Sequence, residues 1–364
     1  TTWDENPVQA LPHYGASYAF FSYLAEHYGG YGALKELVSV KKHGAAGVEE
    51  FLRARGYGVS FDGVFQDWVV ANLVDDTALD GGRYGYKDLD IRLVPKQLSG
   101  LLLRESGSVR QYVADYLELP PEGDLDVSFV GKSWVKLIPN EPHSGRGQWW
   151  SNRGDVMDTT LTREFDLTGL TCATLKAWLW FDVEKHFDYA YVEASSDGGQ
   201  TWTILPGQHT TMLNPNGNSF GPAYTGKSGG GDSPVWIQDE YDLTPYAGKR
   251  VLIRFEYVTD DANNGDGFAV DDVSIAELGY VHDAEVGDEW IAEGFIRTEN
   301  YLDQDYVVQL VTLGEESAVE VLPLDAERKG RWHLNDSGGR RRVLVVSALA
   351  PATTQEAPYE LSIR

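Results

Sequence analysis

The sequence predicts a multidomain α + all-β protein: a small helical subdomain, then a jelly-roll β-sandwich, then a C-terminal β-sandwich. Three observations carry this. Apolar residues recur with the helical period over the first 75 positions, and from Gly81 the period drops to two. The second part holds many short strand patterns with no helical pattern between them, which favours sandwiches over α/β layers. At 364 residues the chain is also longer than one core usually grows. The expected domains are 1–78, 79–280 and 281–364.

The helices come first. Tyr14 to Tyr28 is apolar nearly all the way round, which predicts a helix packed on several sides, and Gly29-Gly30 stop it. Ala33 to Val40 and Val48 to Ala54 continue the pattern, with Gly56 in a C-cap position. Ser60 reads as the N-cap of a further helix whose Phe61, Val64, Phe65, Trp68, Val69 and Leu73 share a face. The strand patterns follow between Pro, Gly and Asp punctuation: VRQYVADYLEL, DLDVSFVG, SWVKLIP, LTREFDL, ATLKAWLWFDV, DYAYVEASS, TWTIL, RVLIRFEYV and GFAVDDVSI. After Tyr280, EWIAEGFIRT, YVVQLVTL, AVEVLPL, RRVLVVSAL and YELSIR supply the last sandwich.

Composition narrows the partners. A net charge of -26 and a pI near 4.6 repel phosphate backbones and anionic headgroups, so neither nucleic acid nor membrane insertion is expected. No stretch is long and apolar enough to span a bilayer. The single Cys172 excludes an internal disulfide, and its setting in LTCATLKAWLW predicts a small buried residue. Thr1 follows neither an initiator methionine nor a leader, so the chain reads as a mature or excised portion.

Carboxylates on loops are the ligands that hard cations take. The run from Asp260 to Gly267, followed by Asp271, matches the EF-hand at its first, fifth, sixth and twelfth positions. Ala262 fails the third, and strands replace the helices. A calcium site in the jelly roll is therefore expected from Asp260, Asp266 and Asp271, with Asp182, Glu184 and Asp188 of WFDVEKHFD on its other side. Ser195 to Trp202 fits the S-x-D-x-G-x-T-W Asp-box, read as a hairpin device: Asp197 binds turn amides, Gly198-Gly199 take positive φ, and Trp202 tucks beneath. Trp149, Trp150 and Trp236 lie nearer loops and raise a sugar-stacking reading, whereas Trp178 and Trp180 read as core.

None of the eight histidines forms the H-E-x-x-H pair that zinc hydrolases place one helical turn apart. The segment HYGASYAFFSYLAEHYGG nevertheless resembles the helix that follows that motif in gluzincin metallopeptidases. Together with FDGVFQDWVVANLVDD it is similar to their C-terminal helical subdomain. The block WWSNRGDVMDTTLTREFDL, WFDVEKHFDYAYVEASSDGGQTW and RVLIRFEYVTDDANNGDGFAVDDVSI resembles the MAM-like jelly roll of the immune inhibitor A metallopeptidases. The resemblance implies a secreted or cell-surface zinc endopeptidase acting on protein or peptide substrates. Its zinc helix would lie in an N-terminal catalytic segment of the same protein, upstream of Thr1, and this chain alone would be inactive. It also implies that Tyr14, at the start of the helix, hydrogen-bonds the oxyanion of the tetrahedral intermediate, with His13 the alternative donor. Ser17 departs from the glycine of the aminopeptidase branch. The competing expectation is a non-catalytic extracellular module that binds protein, polysaccharide or a cell-surface layer.

Overall fold

The computed structural model describes residues 7–98, 103–121, 123–287 and 290–364. It is α + all-β, and the described residues divide into one unit of residues 138–301 and another of residues 7–137 together with 302–364. This differs from the ranges expected from sequence. Leu103–Val109 pairs with Ala357–Ile363, and Leu125–Gly131 pairs with both Ala357–Ile363 and Lys329–Leu334. Residues 103–131 thus build the C-terminal sandwich, and the 138–301 sandwich is an insertion within its chain path. Linear order could not reveal this, because the pairing joins strands some 250 positions apart.

The 138–301 unit stacks two antiparallel sheets. One orders Thr203–Ile204, Tyr189–Ser195, Arg250–Val258, Asp158–Asp166 and Ile291–Glu293; the other orders Ile237–Asp242, Thr174–Asp182, Gly267–Ile275, Gln148–Trp150 and Ile296–Thr298. Residues 288–289, where the expected strand 289–298 begins, lie outside the described residues. Leu161, Phe165, Leu179, Phe255 and Val270 meet in the core between the sheets. Trp149 and Trp150 are 3% and 2% exposed, so neither can stack a sugar; their strand runs inside the sheet instead of along a loop. Cys172 is exposed, contrary to expectation, because it falls in the turn before Thr174 and the alternation that buries Ala173 and Leu175 turns it outward.

The Asp-box hairpin forms as read. Asp197 Oδ1 accepts the amides of Gln200 and Thr201 at 3.0 Å each, and its other oxygen accepts the Thr201 hydroxyl at 2.6 Å. These donors hold its carboxyl well below the usual carboxylate range. Gly198 and Gly199 take φ of 77° and 86°, and Trp202 lies beneath the Arg254 guanidinium at 4.1 Å.

In the other unit the helices are α1 (Pro7–His27), α2 (Leu34–Ser39), α3 (Gly44–Ala54) and α4 (Phe61–Val74). The Ser60 hydroxyl caps α4 by accepting the Gly63 amide at 3.1 Å. α4 is apolar on two sides for a reason. Val64 and Ala71 pack with Tyr23, Leu24, Phe51 and Leu52 of α1 and α3, while Phe65, Val69 and Val70 pack on Val311 and Val345 of the terminal sandwich. Residues beyond 78 join this unit as well: the Tyr23 hydroxyl donates to the Arg83 carbonyl at 2.8 Å, and the Asp75 carboxylate accepts the amides of Tyr86 and Ile91.

α1 begins earlier than expected, so Tyr14 stands in its second turn. Nor is it enclosed: Leu11, Tyr14, Tyr18 and Phe21 remain 44–64% exposed.

The docking of α4 generates an expected outcome. Phe65→Ala removes a side chain only 2% exposed and should destabilise the helix-bearing unit by about 3 to 5 kcal/mol. Hydrogen exchange should then show faster opening in residues 61–74 and 306–348, with residues 138–301 unchanged.

Candidate metal centre

Two loops leave neighbouring strands at the same level. Asp182 is opposite Gly267 and Tyr189 is opposite Val258, so residues 183–188 and 259–266 emerge side by side. Gly265 lets them touch: a Cβ there would fall 2.2 Å from the Asp182 carbonyl oxygen. Along the crevice, Asp182, Glu184, Lys185, Lys227, Asn263 and Asn264 line a cleft of about 500 Å³.

The loops bring together three of the six expected metal ligands. Glu184, Asp188 and Asp260 each place a carboxylate oxygen within 4.8 Å of the other two. Asp188 is the buried centre. It accepts the Tyr257 hydroxyl at 3.2 Å and the Asp260 amide at 3.0 Å, while its own amide donates to the Glu184 carbonyl at 3.0 Å. Burial, reinforced by the like charge of Asp260, pushes its carboxyl up to about 6 against those two hydrogen bonds. Asp260 also accepts the Ala262 amide at 3.1 Å, which fixes the turn that aims it.

The other three go elsewhere. Asp182 has Lys227 at 3.6 Å, and Asp266 pairs with Arg153 at 3.0 Å. Asp271 points away from the loops: it is 1% exposed, and its carboxylate accepts the amides of His143 at 2.8 Å, Ser144 at 3.2 Å and Asp272 at 2.8 Å. It sits at a register shift in its strand, next to Asp272 with a φ of 45°. Sequence spacing alone grouped Asp271 with the loop.

The three clustered ligands offer only carboxylate oxygens, which suits a hard cation of calcium type and not zinc. Among the described residues no cluster with an imidazole or thiolate forms, so these residues do not fit zinc. Tyr257 and the wall residues Thr225 and Gly226 were not singled out from sequence. Tyr257 reads there as one more inward position of RVLIRFEYV, and only its hydroxyl hinted at a polar role. Tyr14 and His13 lie on α1 in the other unit, where Tyr14 is 62% exposed and His13 partly so. Leu11, Tyr14, Tyr18 and Phe21, spaced by three and four, share one face of that helix. Among the described residues no helix is long and apolar enough to cross a membrane.

Comparison with known proteins agrees with the architecture of the middle of the chain. Residues 126–300 match the family described as Immune inhibitor A-like, MAM domain. The chain is 28% identical over 169 residues to "Pre-pro-metalloprotease PrtV" of Vibrio cholerae serotype O1, a match spanning 46% of this chain and 17% of that protein. It is 31% identical over 193 residues to "Immune inhibitor A" of Bacillus thuringiensis subsp. alesti, spanning 51% of this chain and 26% of the relative. The chain therefore covers only about a sixth to a quarter of the curated relatives it matches. These matches place the likeness in the middle of the chain, which resembles the MAM domain of immune inhibitor A-like proteins.

Asp271 sets a pH dependence. Burial pushes its carboxyl from the usual 3.8 up to about 7, so the folded state favours the protonated form. That contribution to stability is full below about pH 4 and is lost as pH rises towards 7. Urea midpoints should fall between about pH 5 and pH 7, and Asp271→Asn should flatten the slope by up to about 1.4 kcal/mol per pH unit.

Proposed function

We propose, for a chain whose middle matches the immune inhibitor A-like MAM domain, that it is the C-terminal part of a secreted zinc endopeptidase that hydrolyses peptide bonds. The H-E-x-x-H helix belongs to an N-terminal catalytic segment of the same protein, and the substrate is protein or peptide. The observation that carries the reading is the stripe of Leu11, Tyr14, Tyr18 and Phe21. These are large apolar and aromatic side chains exposed together on the one helix that the gluzincin resemblance sets beside the catalytic centre. Exposed apolar surface of this kind marks an interaction site.

Zinc, if held by the N-terminal segment, would supply an activated water and a polarised carbonyl. This chain's own part is different. α1 forms an apolar wall that excludes water, and the Tyr14 hydroxyl, or alternatively the His13 imidazole, donates to the oxyanion of the tetrahedral intermediate. In the full-length protein Tyr14→Phe should lower kcat by about 100-fold, the cost of one lost oxyanion donor, with unchanged folding. Steady-state kinetics that showed unaltered turnover would return Tyr14 to packing.

In the inserted sandwich, Glu184, Asp188 and Asp260 hold one calcium ion, while Asp182, Asp266 and Asp271 keep their protein partners. The ion would offset the repulsion among three carboxylates and tie residues 183–188 to 259–266. Calcium at a hundred times its Kd should stabilise the 138–301 unit by about 2.7 kcal/mol. Calorimetry should show melting lowered by chelator in the wild type and indifferent to it in Asp188→Asn. A wild-type melt unchanged by chelator would end the calcium assignment.

The second reading is a non-catalytic extracellular binding or structural module. It is favoured by the dominance of β-sandwich and by the lack of a zinc donor set among the described residues. An H-E-x-x-H upstream in the parent gene decides for the enzyme.

A further inference from the structure

The outer face of one sheet in the helix-bearing unit carries a feature unrelated to peptide hydrolysis. Register aligns Arg104 with Ser362, Ser362 with Ser128, and Ser128 with Arg331, so the four form one row across four strands. Directly opposed residues of antiparallel strands point to the same face. That face is the outer one: Val127, Phe129, Leu361 and Ile363 are buried beneath, Ser128 and Ser362 are half-exposed, and both arginines are exposed. Three strand spacings separate the arginine Cα atoms by about 14 Å. Two small serines therefore floor a groove of about 470 Å³ whose sides are Arg104 and Arg331, with Arg364 at one end.

The charge of this groove runs against the rest of the molecule. The chain has 56 acidic and 30 basic residues, and most arginines in it are held by carboxylates or carbonyls. Among the described residues the side chains of Arg104, Arg331 and Arg364 have no ion pair or hydrogen bond. The nearest acid in the groove, Asp126, is engaged by His333 at 3.0 Å, and Glu360 stands in the next row, outside the lining.

We propose that this groove binds an acidic oligosaccharide, a short glycan bearing carboxylate or sulfate groups. The guanidinium fork matches a planar or tetrahedral oxyanion through paired N–H donors. The serine hydroxyls between the arginines both donate and accept, which is what sugar hydroxyls require. Arginine, serine and histidine side chains make up most of the groove's lining, with Val127 and Trp332 the apolar members, whereas a peptide side chain is anchored in a mainly apolar pocket. Long polyanions such as nucleic acid meet the repulsive field of a chain with net charge -26, whereas a short glycan brings few charges.

The test uses the full chain and a heparin-derived tetrasaccharide, titrated calorimetrically at low salt. Binding is expected in the wild type, weakened about tenfold or more by Arg104→Gln and by Arg331→Gln and abolished by Ser362→Glu, with unchanged melting temperatures. The proposal is overturned if the wild type does not bind or if both arginine variants bind as the wild type does. Inorganic sulfate competing as strongly as the tetrasaccharide would reduce the groove to a simple anion site. An aspartate-rich heptapeptide or a single-stranded oligonucleotide binding more tightly through the same arginines would assign another class of partner. Because the readout is binding to these strands, its failure leaves the peptidase reading untouched.

Discussion

The antiparallel ladder between Leu103–Val109 and Ala357–Ile363 is the constraint on which the rest depends. It closes a chain segment of some 250 residues, and closure on that scale is entropically costly before any contact compensates it. Ala357–Ile363 also pairs with Leu125–Gly131, so a single central strand holds both early strands in the terminal sandwich. With those strands in place, residues 138–301 can leave and return as an insertion, and the neighbouring sheet offers Val311 and Val345 to α4. The same ladder sets the row of Arg104, Ser362, Ser128 and Arg331.

The inserted sandwich is organised by where its carboxylates find donors. Asp197 gathers two amides and two hydroxyls, those of Thr201 and Ser195, in an exposed turn and stays ionised. Asp239 does so in the interior: it accepts the Gln208 and His209 amides and the Tyr224 hydroxyl, and is lowered despite burial. Asp188, Glu256 and Asp271 are raised, with burial the leading cause in each. Of these, among the described residues, only Asp188 belongs to a group of three carboxylates whose oxygens all lie within 4.8 Å of one another.

The surfaces divide in a similar way. α1 is covered on the side where Tyr23, Leu24 and Ala25 lie and open along Leu11, Tyr14, Tyr18 and Phe21. One face of the helix is thus packed and another is left apolar and exposed. The arginine groove lies on the face of a sheet opposite the one through which Val127, Phe129, Leu361 and Ile363 enter the core.

The sequence by itself determined the classes of element and many of their ends. Ser60 caps α4, Gly29 and Gly30 stop α1 at φ of 113° and 79°, and the strong alternations of RVLIRFEYV and GFAVDDVSI are strands, because these depend on interactions within a few residues. The resemblance to immune inhibitor A proteins was legible for the same reason, being carried by contiguous motifs. It did not give Leu103–Val109 or Lys329–Leu334, where polar, charged and glycine residues blur the period of two. Nor could it separate Asp271, buried among amides, from Asp260, aimed at Asp188. Partners across hundreds of residues, and the burial that shifts a carboxyl, exist only once the sheets have formed. Tertiary structure alone therefore decided which acids converge, which arginines stand together, and which sandwich is inserted in the other.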